Sequence, residues 1–205
     1  MRAFVLTGPR ASGVQVVAAP TPAPGEVVID VERVGVCGTD AEFYSGEMAY
    51  LHQGHSHYPM RLGHEWCGVV ASVGEGVDPA WIGKRVMGDT MIGDGTCRRC
   101  RRGVQHVCDH RDEVGIRDGR AGALAEQIAV PAMSLHVLPD SVDAVLGALV
   151  EPGGRSGVRT RALVAHRDGE RRKVARGCLA GDRRVHRVEV ALLIPRVARA
   201  RIGQR

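Results

Sequence analysis

Fifteen residues, Asp94 to Cys108, constrain this chain more than any other stretch. Cys97 and Cys100 are separated by two residues, Cys108 follows after seven more, and Asp94 stands a further two-residue step upstream. A compact loop with four potential ligands of this kind is how proteins hold structural zinc in a closed tetrahedron. Cys37, the Gly63-His64-Glu65 step and Glu151-Pro152 supply a second ligand set, one that can leave a coordination position open. Six cysteines, three of them clustered at metal-like spacing, suit metal binding better than disulfides.

At 205 residues and 44% hydrophobic, the chain can bury one globular core and carry an extension. Its charge is divided. Residues 153–205 hold 14 Arg and one Lys against four acids, a net +11, which against the chain's total of +5 leaves residues 1–152 at −6. All seven aromatics, from Phe4 to Trp81, lie in the acidic part, so the basic segment has none with which to build a large core. No apolar run approaches the roughly 18–20 residues of a membrane span, and Met1–Leu6 is too short for a signal peptide. The expected location is the cytoplasm, with no membrane partner.

Hydrophobic alternation and turn residues predict mainly β structure with short helices. Strands are expected over Met1–Leu6, from Val14 into the following valines, and over Val27–Cys37, where Val28-Ile29-Asp30-Val31-Glu32 alternates as a half-buried strand does. Further strands are expected at Trp66–Val73, Lys84–Met87 and Leu124–Val130. A short helix is predicted to start at Thr39 or Asp40, both good N-caps, and to end near Gly46. Many short strands broken by Gly and Pro suggest a small barrel-like architecture.

Several of these pieces, in this order, resemble one known family. They are Val36-Cys37-Gly38-Thr39-Asp40, Gly63-His64-Glu65 followed by Gly68-Val69-Val70, Val73-Gly74-Glu75-Gly76-Val77, Gly83-Lys84-Arg85-Val86, the cysteine lobe, Gly122-Ala123-Leu124-Ala125-Glu126 and Leu149-Val150-Glu151-Pro152. Together they resemble the zinc-dependent medium-chain alcohol dehydrogenases, in particular the polyol, glucose and threonine dehydrogenase branch. The resemblance implies a GroES-like, partly open β-barrel catalytic domain over residues 1–152, with a structural-zinc lobe at about 90–112. In such enzymes a doubly wound nucleotide-binding domain follows.

By that resemblance Cys37, His64 and Glu151 are the protein ligands of a catalytic zinc, with Glu65 as an alternating or supporting carboxylate. Zinc there would polarise an alcohol oxygen so that hydride can pass to NAD(P). Thr39 matches the hydroxyl that relays the alcohol's proton, since a hydroxyl both donates and accepts; it serves equally as a helix N-cap. Taken alone, Cys37 reads as a buried structural thiol, and the surrounding motifs make it a ligand. Cys67 and Cys178 fit no ligand spacing and read as structural. The loop histidines His52, His55 and His57 read as solvated loop residues.

In the lobe, Asp94, Cys97, Cys100 and Cys108 are the expected structural-zinc ligands, although most family members with this lobe have cysteine where Asp94 stands. A carboxylate binds zinc at a similar distance, so the tetrahedron can survive; His106 and His110 are the neighbouring alternatives. After Pro152 the departure is larger. Residues 153–205 contain no G-x-G-x-x-G, and a complete nucleotide domain takes roughly 100 residues or more. No NAD(P) site and no complete Rossmann domain are therefore expected in this chain. A slip of reading frame near codon 153 of a GC-rich gene would give such an Arg-rich composition. The reading that follows is an alcohol dehydrogenase-like oxidoreductase truncated before its cofactor domain, inactive alone, acting on a small alcohol or polyol by family. The alternative is a zinc-stabilised domain whose basic arm binds nucleic acid or another polyanion; the absence of aromatics in the arm argues against it. Oligomerisation is left open.

Overall fold

The computed structural model describes residues 1–117 and 119–155. In chain order its elements are β1 (Arg2–Gly8), β2 (Ala11–Val16), β3 (Glu26–Val34), α1 (Gly38–Ser45), α2 (Ala49–His52), β4 (Trp66–Val73), β5 (Arg85–Gly88), β6 (Met91–Ile92), α3 (Arg98–Arg101), β7 (Asp112–Glu113), β8 (Gln127–Pro131), β9 (Leu135–Val137), α4 (Ala144–Ala148) and α5 (Val150–Arg155). Apart from its first three residues, the Arg-rich segment expected over 153–205 lies outside the described residues.

Five antiparallel strands form the central sheet in the order β8-β3-β4-β5-β9, flanked by the β1–β2 hairpin and the two-residue β6–β7 pair. The architecture is mainly β with short helices, as expected, and the described sheets do not close into a barrel. Alternate residues of β3, namely Val27, Ile29 and Val31, enter one core with Trp66 and Val70 of β4 and Val86 of β5. Each such burial is worth roughly 1.5–3 kcal/mol. A second cluster packs Phe43 of α1 against Leu6, Leu62 and Leu124, which anchors both chain segments that carry Cys37 and His64. A third seats Ala148 of α4 on Cys67, Met87 and Leu138, bringing Glu151 to the same end of the sheet.

Boundaries differ from the sequence reading in three places. β2 begins at Ala11 because Arg10, with φ +57°, turns the chain directly back onto β1. β3 stops at Val34, so Cys37 is the N-cap of α1 and Thr39 and Asp40 lie within its first turn. β8 starts at Gln127, because Ala125 pairs with Ala3 of β1 instead. Gly46 ends α1 in the left-handed conformation, as expected.

Candidate metal centres

Cys37 is placed by its own helix. Its backbone N–H donates to Asp40 Oδ2 at 2.9 Å, and this reciprocal cap fixes the chain between β3 and α1. His64 is placed by Gly63, which holds φ +97° against the backbone of Leu124, where an added Cβ would come within 2.8 Å of the Leu124 nitrogen. The two segments bring Cys37 Sγ within 3.1 Å of His64 Nε2. Thiolate and imidazole on one tetrahedral zinc would stand roughly 3.5 Å apart, so a small opening of this pair admits an ion.

Ligand atoms of Cys37, Asp40 and His64 lie within 4.8 Å of one another. His64 is 1% exposed and Asp40 3%, and His64 Nδ1 and Asp40 Oδ1, 3.8 Å apart, have no hydrogen-bond partner among the described residues. Burial alone would lower the His64 pKa; the Cys37 hydrogen bond and the charges of Asp40, Cys37 and Glu151 more than offset it and raise the value to about 9. A site that holds a buried cation in the absence of metal has the electrostatics that a metal ion needs.

Glu65 and Glu151 fall outside that cluster. The Glu65 carboxylate lies against Gly35, where an added Cβ would stand 2.3 Å from Oε2. Glu151, in the first turn of α5, accepts a hydrogen bond from Thr90 Oγ1 at 3.2 Å. Thr39 is half-buried, one residue ahead of Asp40 in α1. A cavity of about 820 Å³ opens beside Thr90 and Glu151, walled by Leu138 and Leu146 on one side and by Gln105 and His106 of the lobe on the other. The sequence reading assigned no role at the site to Thr90, and it took Asp40 only as a cap; the Cys-x-x-Asp spacing across one helical turn was a signal for Asp40, whereas nothing local marks Thr90.

The lobe gathers its four expected residues. Ligand atoms of Asp94, Cys97, Cys100 and Cys108 lie within 4.8 Å of one another. Cys97 Sγ and Cys108 Sγ are 3.8 Å apart, the separation of two thiolates on a tetrahedral ion at about 2.3 Å. Asp94 Oδ1 accepts from Thr96 N–H at 2.8 Å and Cys97 N–H at 2.9 Å, which holds the carboxyl well below the usual carboxylate range. The Cys100 N–H lowers the Cys97 thiol, while desolvation pushes Cys100 up to about 12. His106 and His110 are not in the cluster. Outside both centres, Cys67 is buried under α4 and its thiol is pushed up to about 12 by burial, as a structural cysteine would be. His52 pairs with the Gly46 carbonyl and His55 with Arg117, away from the metal clusters.

Residues 23–140 match the alcohol dehydrogenase GroES-like domain. L-threonine 3-dehydrogenase of Coxiella burnetii is 38% identical over 141 residues, 67% of this chain and 40% of that protein. Among solved structures, an Escherichia coli CFT073 alcohol dehydrogenase complexed with NADH superposes with a TM-score of 0.69 at 30% identity, covering 79% of this chain and 45% of that one. A putative zinc-binding dehydrogenase of Sinorhizobium meliloti 1021 bound to NADP gives 0.62 at 34%, covering 72% and 41%. The chain thus spans about 40% of the length of the curated relatives it matches. With the match extending over more than half of its residues, this chain belongs to the alcohol dehydrogenase GroES-like domain family.

Proposed function

We propose that residues 1–152 form the zinc-binding catalytic unit of an oxidoreductase that converts a small alcohol or polyol to its carbonyl with NAD(P). The observation that carries this reading is the buried Cys37–His64 pair with Asp40 behind it. Cys37, His64 and Glu151 would hold the ion, and Glu65 is a reserve carboxylate one residue from His64. The ion, when bound, supplies a Lewis acid for the alcohol oxygen. Asp40 orients the His64 ring through its Nδ1 edge and favours the charge that gathers there. Thr39 takes the proton from the alcohol and passes it outward, as its hydroxyl allows. The lobe ligands Asp94, Cys97, Cys100 and Cys108 hold a second, closed ion that fixes the loop forming one wall of the cavity.

The dehydrogenase names of the relatives support this reading over a polyanion-binding one. Elemental analysis tests it. Protein purified without chelator should carry up to two zinc ions per chain, one lost in Cys37→Ser and the other in Cys108→Ser. Metal-free protein from zinc-replete cells would overturn the proposal.

A further inference from the structure

Thr90 sits between β5 and β6, 7% exposed, and its carbonyl accepts from Val114 N–H at 2.9 Å while the preceding Asp89 N–H donates to Ser134 at 2.9 Å. Its backbone is therefore tied on both sides. Its hydroxyl donates to Glu151 Oε1. Glu151 stands on the short helix α5, close enough for its charge to act on His64, yet its oxygens lie outside the compact set formed by Cys37, Asp40 and His64. A fixed donor thus grips a carboxylate that stands just short of the metal-binding pair.

We infer that Thr90 is a positioning residue whose hydroxyl holds Glu151 off the Cys37–His64 pair, so that Glu151 ligates only when that hydrogen bond is released. This rests on the metal reading of Cys37 and His64 above. The donor and the ion compete for the same carboxylate, so the hydrogen bond weakens ligation by Glu151 and keeps a coordination position available. Valine has nearly the shape of threonine and lacks the donor, so Thr90→Val removes the grip with little change of packing.

The experiment uses the full chain loaded with Co²⁺, reading the thiolate-to-cobalt absorbance that Cys37→Ser removes and titrating its affinity. In the wild-type background Glu151→Gln should change that affinity by less than about threefold, because Glu151 is held away. Thr90→Val should raise it by about tenfold, the scale of one hydrogen bond to a charged group, and should alter the cobalt spectrum. Adding Glu151→Gln to Thr90→Val should abolish the gain, and Thr90→Ser, which keeps the donor, should behave as wild type. Unchanged or weaker affinity in Thr90→Val, or a gain that survives Glu151→Gln, overturns the inference. If Thr90→Val fails to fold, a large loss of affinity in Glu151→Gln alone overturns it, and the small change expected there together with wild-type behaviour of Thr90→Ser upholds it. Absence of any Cys37-dependent cobalt absorbance would sink the metal reading itself, which separates the two failures.

Discussion

Asp94 occupies the place of a fourth thiolate, and its geometry decides what kind of ligand it can be. Oδ1 already accepts two backbone N–H groups, so Asp94 can offer an ion only its other oxygen, as a single hard donor beside three soft ones. Asp94→Cys should therefore slow zinc loss to a chelator and Asp94→Ala should hasten it, each by about tenfold or more, since even groups one step removed from a metal matter on that scale. Equal release rates in all three proteins would exclude Asp94 from the site. His64 makes a second residue-level prediction. Its folded pKa of about 9 lies above its ordinary 6.5, so in metal-free protein its protonation adds stability that is fully present below pH 6.5 and lost as pH rises through 9. In excess chelator the urea midpoint should fall between pH 6 and pH 9.5 by the equivalent of on the order of 2 kcal/mol, and His64→Gln should flatten that dependence. Cys37, His64 and the lobe cysteines were legible because ligand type and spacing are written locally. The separation of Glu65 and Glu151 from the cluster was not, because it depends on Gly35 and Thr90, which only the folded chain brings to them.

Elements were legible where one face is buried and the period is long enough to see. β3 and β4 qualify, with alternate residues of β3 in the core, whereas β6, β7 and β9 span two or three residues and leave no period. β2 misled for the opposite reason: Val14 and Val16 are 62% and 87% exposed, so their apolar alternation marks no buried face. The start of α1 was displaced because its cap is reciprocal, with the capping carboxylate of Asp40 inside the helix and Cys37 at the boundary. Packing of the β3–β4 ladder also depends on a glycine whose role no period reveals. A Cβ on Gly68 would stand 2.4 Å from the Asp30 carbonyl oxygen and 2.6 Å from Ile29 Cγ2, a backbone approach that a rotamer change cannot relieve. Gly68→Ala is expected to cost about 1–3 kcal/mol, as overpacking does, read as a lower denaturant midpoint at fixed zinc concentration.

At the scale of the whole molecule, the metal ligands and the cofactor impose separate requirements. Hydride transfer needs a nicotinamide held against the activated alcohol, and that positioning supplies a large part of the rate enhancement. In the sequence, a glycine-rich turn opening a helix is the feature that would cradle the pyrophosphate, and residues 153–205 contain no such turn. The relatives are longer: the matched region of the Coxiella burnetii protein is 40% of it. The 205-residue chain is therefore predicted to bind zinc without orienting NAD(P). Its 14 arginines after Gly153 would attract the cofactor's phosphates by charge alone, and such attraction fades as salt shortens the Debye length from about 10 Å at 0.1 M to about 3 Å at 1 M. Calorimetry with NAD and NADP at low and high salt should show weak binding that disappears at 1 M, and absorbance of reduced cofactor with a panel of polyols, sugars and short alcohols should not rise. Salt-resistant binding, or turnover that Cys37→Ser abolishes, would show that this chain presents a cofactor site built on residues other than a glycine-rich turn.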